Sequence, residues 1–142
     1  MIYTELTKKA LRLCYKAHEG QMDKGGVPYV FHAIHVAEQM QDEYDTCVAL
    51  LHDVVEDTDY EIEDIVAAGF PDEVIEALRH ITKLENQPYE DYIKVVKQNP
   101  IAVRVKLADI EHNSDLTRLP VVDDAARKRI NKYKLAKKEL MD

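Results

Sequence analysis

Apolar residues recur along this chain at three- and four-residue intervals, the spacing that lines one face of a helix. Leu6, Ala10, Leu13, Cys14 and Ala17 set the pattern over residues 3–19, so the chain opens with an amphipathic helix ending near Gly20. Residues 21–29, with Gly25, Gly26 and Pro28, read as a loop whose only cation is Lys24. A second helix runs from His32 to Met40 and places His32 and His35 near its start. The third is apolar from Cys47 to Leu51, continues through His52-Asp53-Val54-Val55-Glu56-Asp57, and stops near Asp57. Thr58 and Glu61 have the spacing of a capping box for a short helix through Ala67, which Gly69 closes. Pro71 suits the start of the next helix, buried through Val74, Ile75, Leu78 and Ile81, and Tyr89, Tyr92, Ile93 and Val96 carry another up to Asn99-Pro100.

One segment alternates instead. Val103, Val105 and Leu107 have strand spacing, yet Asn99 and Pro100 make a good helix cap and first position, and no other convincing strand exists to pair with this one. Read as a helix, it is apolar around most of its circumference and therefore central, with Asp109 and Asn113 one turn apart at its end. Residues 123–140 form a basic last helix that packs through Ile130, Tyr133, Leu135 and Ala136 and turns its cations to water. The prediction is an all-α bundle of about seven to eight helices.

Composition narrows the setting. A chain of 142 residues without a composition break reads as one domain, 1–142. Its net charge of −8 argues against non-specific attraction to nucleic acid or to an anionic membrane. Cys14 and Cys47 are isolated in apolar contexts and read as small buried hydrophobes of a reducing compartment. No apolar run approaches the ~20 residues of a membrane span, and the first residues do not resemble a signal peptide, so a soluble cytoplasmic protein is expected. Monomer and homodimer are both compatible with the sequence.

The chemistry concentrates at His52-Asp53 and, one helical turn later, Glu56-Asp57. On one helix His52 and Glu56 share a face, as do Asp53 and Asp57. The apolar run before them buries this helix, and buried charges are costly unless paired or bound to metal. The competing reading is an acidic helix end in water, and a single His on a helix, such as His32 or His35, is more often a packed residue than a ligand. Two imidazoles with two carboxylates suit Mn²⁺, Fe²⁺ or Zn²⁺ better than Mg²⁺ or Ca²⁺, which favours His32, His52, Asp53 and Asp109 as ligands. A metal so held polarises a phosphoryl oxygen and lowers the pKa of bound water towards ~7, with Glu56 and Asp57 placed to move protons. No Ser or Cys lies in a nucleophile-elbow context, and there is neither a P-loop nor a dinucleotide-binding glycine fingerprint.

These residues resemble the HD-domain metal-dependent phosphohydrolases, and among them the single-domain Rel/SpoT-type guanosine alarmone hydrolases. The resemblance rests on Ala17-His18-Glu19-Gly20-Gln21 leading to Gly26-Val27-Pro28-Tyr29-Val30-Phe31-His32, and on Ala49-Leu50-Leu51-His52-Asp53-Val54-Val55-Glu56-Asp57-Thr58. It continues through Ile81-Thr82-Lys83-Leu84 and through Val105-Lys106-Leu107-Ala108-Asp109 with His112-Asn113. It implies an all-α HD-domain bundle around a central Mn²⁺ site, and a small-molecule nucleotide substrate, guanosine tetra- or pentaphosphate, which loses its 3′-pyrophosphate. By resemblance His32, His52, Asp53 and Asp109 are the metal ligands and Glu56 and Asp57 the catalytic pair, while Asn113 contacts the nucleotide and Lys24 its phosphates. His35 falls outside the pattern.

The chain departs from that family at three places. Asp23 stands where an Arg usually stacks on guanine, Ile110-Glu111 replaces Arg-Leu, and Ser114-Asp115 stands where Met-Arg is common. A carboxylate for a stacking cation removes a cation–π contact and adds repulsion, so guanosine polyphosphate binding should weaken and Asp23→Arg should raise kcat/KM. The other outcome open for Asp23 as a substrate-binding residue is that it accepts from guanine's N1–H and exocyclic amine, in which case the same change lowers turnover. The alternatives are the same hydrolysis of another nucleotide or phosphate ester, and a nucleotide sensor that binds without turnover.

Overall fold

The computed structural model describes residues 1–142 as helices joined by short loops. In order these are α1 (Glu5–Ala17), α2 (Val30–Glu38), α3 (Glu43–Leu51), α4 (Val54–Asp57), α5 (Ile62–Ala67), α6 (Asp72–Ile81), α7 (Tyr89–Lys97) and α8 (Pro100–Asn113). A 3₁₀ turn, Leu116–Arg118, then leads to α9 (Asp124–Met141). With the single turn of α4 taken as an extension of α3 the helices number eight, and the only bridge of strand type joins Met22 to Pro28. The all-α expectation holds.

The bundle is built around α3, which is buried at every position from Asp45 to Leu51 and packs on α1, α2, α6 and α8. Burial of this kind is the main stabilising term, roughly 1.5–3 kcal/mol for each fully buried Leu or Val. α8 is the second interior helix, touching α2, α3, α6, α7 and α9. Its alternating Val103, Val105 and Leu107 are helical because Asn99 caps the segment, its Oδ1 accepting from the Ala102 N–H at 3.0 Å. The two interior helices are tied by charge as well: the buried Asp45 of α3 receives the Arg104 guanidinium of α8, Nη2 to Oδ1 at 2.9 Å. Cys14 and Cys47 are free and buried, as read from the sequence.

Three expectations need correction. The helix through the central stretch does not run on to Asp57: it breaks at His52 and Asp53, for reasons that belong to the site. Thr58 does not cap α5; its hydroxyl donates to the Val54 carbonyl (2.6 Å) and accepts from the Tyr60 N–H (3.1 Å), so it closes α4 instead. At the start of α5 the Asp64 carboxylate accepts the Glu61 N–H at 2.8 Å, three residues later than the expected box. On α9, Leu135 is 70% exposed and outside the core, while Ala126, Ala136 and Leu140 are buried and Tyr133 is half-buried. Residue 135 lies about 100° around the helix from residue 136, enough to turn it from the core to water. No helix is long and apolar enough to cross a membrane.

Candidate metal centre and adjoining cavities

Three helices deliver the four expected ligands to one point: α2 brings His32, the α3–α4 junction His52 and Asp53, and α8 Asp109. Their ligand atoms all lie within 4.8 Å of one another. His32 Nε2 is 2.9 Å from Asp109 Oδ1, and His52 Nε2 is 3.0 Å from Asp53 Oδ2 and 3.4 Å from Asp109 Oδ1. Neighbouring residues on an unbroken helix point about 100° apart, so His52 and Asp53 meet only because the helix breaks there. His52 sits between the helices, and Asp53 caps α4 at φ −105°, ψ 0°. The Asp57 N–H then donates to the Asp53 carbonyl at 2.9 Å and restarts the helix.

The surroundings orient each ligand. His52 Nδ1–H donates to the Ala49 carbonyl (2.6 Å), which leaves Nε2 with its lone pair aimed at two carboxylates. That nitrogen is buried and has no hydrogen-bond partner. Burial alone lowers the His52 pKa, but Asp53 and Asp109 outweigh it and raise it well above the ordinary value. The site therefore calls for positive charge at Nε2, and a divalent cation among two imidazoles and two carboxylates meets that demand. His32 Nδ1 is 2.8 Å from His112 Nδ1, and the His112 ring stacks on His32 and on His35. His112 is held neutral, its pKa pulled down to about 4 by burial and by Arg118, His32 and His35, so it accepts the His32 Nδ1–H and frees His32 Nε2. Asp109 Oδ2 receives the largely covered Lys106 ammonium at 2.7 Å and Oδ1 the Asn113 amide at 2.9 Å. Burial would raise the Asp109 pKa, but Lys106 and the two histidines hold it well below the carboxylate range. The Tyr29 hydroxyl donates to Asp53 Oδ2. These residues fit a divalent transition metal.

Glu56 and Asp57 line a cavity of about 300 Å³ that opens from this cluster and is also lined by Lys83, Lys106 and Lys132. Burial and then the charges of Asp53 and Glu56 push the Asp57 pKa up to about 6. Burial also raises Glu56, although the Lys83 N–H, bound to its Oε1 at 2.9 Å, works the other way. Asn113, Tyr29 and Tyr133 border a second cavity of about 310 Å³ as well, which is also lined by Asp23, Lys24 and Arg118.

The structure thus brings His32, His52, Asp53 and Asp109 together with Glu56, Asp57 and Asn113, and sets Lys24 and Asp23 in the adjoining cavity. Asn113 is already engaged, its amide on Asp109 and its Oδ1 accepting from Arg118 at 3.2 Å. Lys106, Tyr29 and His112 stand in the blocks that carry the resemblance, but the sequence assigned them no role. Lys106 was within reach, because a cation three residues before an acid on a helix lies beside it; the other two come from the packing of distant segments.

Asp23 is not a free carboxylate facing a ligand. Its Oδ1 accepts from the N–H groups of Gly25 (2.8 Å) and Val27 (3.0 Å), and its Oδ2 lies 3.3 Å from Arg118 Nη2. Burial opposes ionisation, but these donors outweigh it and hold the carboxyl below its ordinary range. Gly25 is required here because a Cβ would come within 2.2 Å of the Arg118 carbonyl oxygen, and Gly26 because its φ is +82°. The expected sign of Asp23→Arg is therefore reversed: the new guanidinium would face Arg118 and abandon two loop N–H groups. The variant should lose nucleotide binding about tenfold, measured as a rise in KM, and should not gain it.

Residues 10–111 match the HD domain family. The bifunctional (p)ppGpp synthase/hydrolase SpoT of Escherichia coli (strain K12) is 34% identical over 124 residues, which cover 74% of this chain and 18% of that protein. A Myxococcus xanthus protein named GTP pyrophosphokinase is 33% identical over 127 residues, 77% of this chain and 17% of its own. The chain spans less than a fifth of the length of these curated relatives. A solved structure described as a metazoan ortholog of SpoT that hydrolyzes ppGpp and plays a role in starvation responses superposes with a TM-score of 0.76 at 27% identity, covering 100% of this chain and 86% of that one.

Proposed function

The chain belongs to the HD domain family, and from that premise we propose that it is a divalent-metal-dependent phosphohydrolase converting guanosine tetraphosphate to GDP and pyrophosphate. The observation that carries the reading is the buried cluster of His32, His52, Asp53 and Asp109, opening directly into a cavity lined by the carboxylates of Glu56 and Asp57. Mn²⁺ is the metal we assign first, with Fe²⁺ and Zn²⁺ suited to the same donors. When bound, such a cation polarises a phosphoryl oxygen and makes the attacking water more acidic.

The chain's own groups do the rest. Asp57, with its pKa near 6, changes protonation close to neutral pH and is suited to take the proton of the attacking water. Glu56, held by the Lys83 N–H, is placed to return a proton to the departing 3′-oxygen. Lys106 and Asn113 fix Asp109, while His112 and the Ala49 carbonyl fix the two imidazoles, so the ligands are oriented before substrate arrives. The second cavity, with Lys24 and Asn113 at its edge, is where the nucleoside is expected. The Asp23–Arg118 pair on its wall favours a second reading, the same hydrolysis of a different phosphorylated nucleotide.

Mn²⁺-loaded protein incubated with a nucleotide panel, and analysed for pyrophosphate and phosphate separately, tests the reading. GDP and pyrophosphate from guanosine tetraphosphate, abolished by chelator, is the expected result. Turnover of another nucleotide in its place would favour the second reading, and tight binding without turnover of any would make the protein a sensor.

A further inference from the structure

Lys83, Lys106 and Lys132 face the cavity beside the metal cluster, and the acids of that cavity neutralise only one of them. Lys106 lies on Asp109. Lys83 reaches no acid and donates to the Leu84 carbonyl at 3.3 Å. No carboxylate pairs with Lys132, although its own helix carries Asp124 and Glu139, which pair with Arg127 and Lys97. Its ammonium instead stands 4.5 Å from the centre of the Tyr89 ring and 5.5 Å from that of Tyr133. Loss of water and then the charges of Lys106, Arg129, Lys83 and Lys24 all act against its own charge. Lys132 is nonetheless exposed, so an anion entering the cavity can reach its ammonium. The cavity thus mixes Asp53, Glu56, Asp57 and Asp109 with three lysines, of which Lys106 is spent on Asp109 and Lys132 has neither a carboxylate nor a carbonyl partner, leaving Lys132 free for the negative charge of a ligand that meets the metal.

We propose that Lys132 of α9 binds the terminal phosphate of the scissile diphosphate, so that the C-terminal helix is part of the substrate site and not merely a solvated basic face. The inference rests on the hydrolase reading above and adds a contact to it. In the reaction the water oxygen bonds to the phosphorus next to the nucleoside and the bond from that phosphorus to the 3′-oxygen breaks. Its electron pair stays on the 3′-oxygen, which takes a proton. The P–O–P bridge is untouched, so the diphosphate departs whole as pyrophosphate, its terminal phosphate charged throughout. A lysine ammonium, a compact point charge with three donors, suits that end. Selection for a diphosphate over a single phosphate follows.

Calorimetric titration of metal-loaded protein with inorganic pyrophosphate and, separately, with orthophosphate tests this without any turnover. Lys132→Met should weaken pyrophosphate binding about tenfold or more and leave orthophosphate binding and the melting temperature unchanged, and Lys132→Arg should retain most of the affinity. Equal pyrophosphate affinity in wild type and Lys132→Met overturns the proposal, as does an equal loss for both anions, which would make Lys132 a source of general field only. If wild-type protein binds pyrophosphate through Lys132 but leaves guanosine tetraphosphate intact, the substrate assignment fails while the Lys132 contact stands.

Discussion

Asp57→Asn leaves the metal content of the protein unchanged and lowers kcat on its best substrate by about 10²–10⁴-fold, the range that positioned proton transfer supplies. Glu56→Gln behaves alike. Both side chains lie outside the four-residue ligand set yet on the wall of the same cavity, so removing their charge should spare the ligands and remove only proton transfer. Asp57 is the stronger candidate for the base, because burial beside Asp53 and Glu56 brings its pKa up to about 6. Glu56 is held in place by the Lys83 N–H, while burial raises its pKa and so favours the protonated form an acid needs. The check is steady-state kinetics with metal content measured on the same samples. Wild-type rates in either variant would return that residue to the role of a solvated acid at a helix end.

Asp109→Ala has two effects of different origin. The first is loss of the metal and of activity, since one of the two carboxylate ligands is gone. The second is structural: the Lys106 ammonium, whose side chain is 13% exposed, would be left with no counter-ion. Removing one partner of a buried pair typically costs roughly 3–5 kcal/mol, because the other charge stays buried and uncompensated. For a domain of this size that corresponds to a drop in melting temperature on the order of 10 °C, measured with chelator present for both proteins so that metal does not contribute. The double variant Lys106→Met/Asp109→Leu separates the effects. It removes both charges, and should recover most of the stability while remaining without metal or activity. A single variant as stable as wild type would show that Lys106 finds water or another partner.

The helices were legible because burial imposes a period of 3.6 on the sequence, and because Asn99-Pro100 and Gly69 punctuate it with local chemistry. The cluster of His32, His52, Asp53 and Asp109 was legible for a different reason: two imidazoles and two carboxylates in otherwise apolar stretches are unusual, and the resemblance to known hydrolases selected His32 over His35. The break at His52 was not, since helix periodicity carries no sign of a side chain that turns to its own backbone, as His52 Nδ1 does to the Ala49 carbonyl. Nor was the fate of Asp23, whose meaning depends on Arg118 arriving from a turn 95 residues later in the chain. His112, Tyr29 and Lys132 belong to the same class: each is ordinary in sequence and is given its place by packing between segments far apart in the chain. Leu135 shows the converse error, an apolar residue counted as core although its position on α9 faces water.

The central claim is that the chain folds its two imidazoles and two carboxylates into a site for one divalent cation. Elemental analysis of protein purified without chelator, combined with a thermal melt before and after metal addition, addresses it most directly. The account predicts close to one equivalent of Mn, Fe or Zn per chain, a melting temperature that rises with added metal because only the native state binds it, and neither effect in Asp53→Ala. Wild-type protein that carries no transition metal, and melts at the same temperature with Mn²⁺, Fe²⁺ or Zn²⁺ as with chelator, would contradict it.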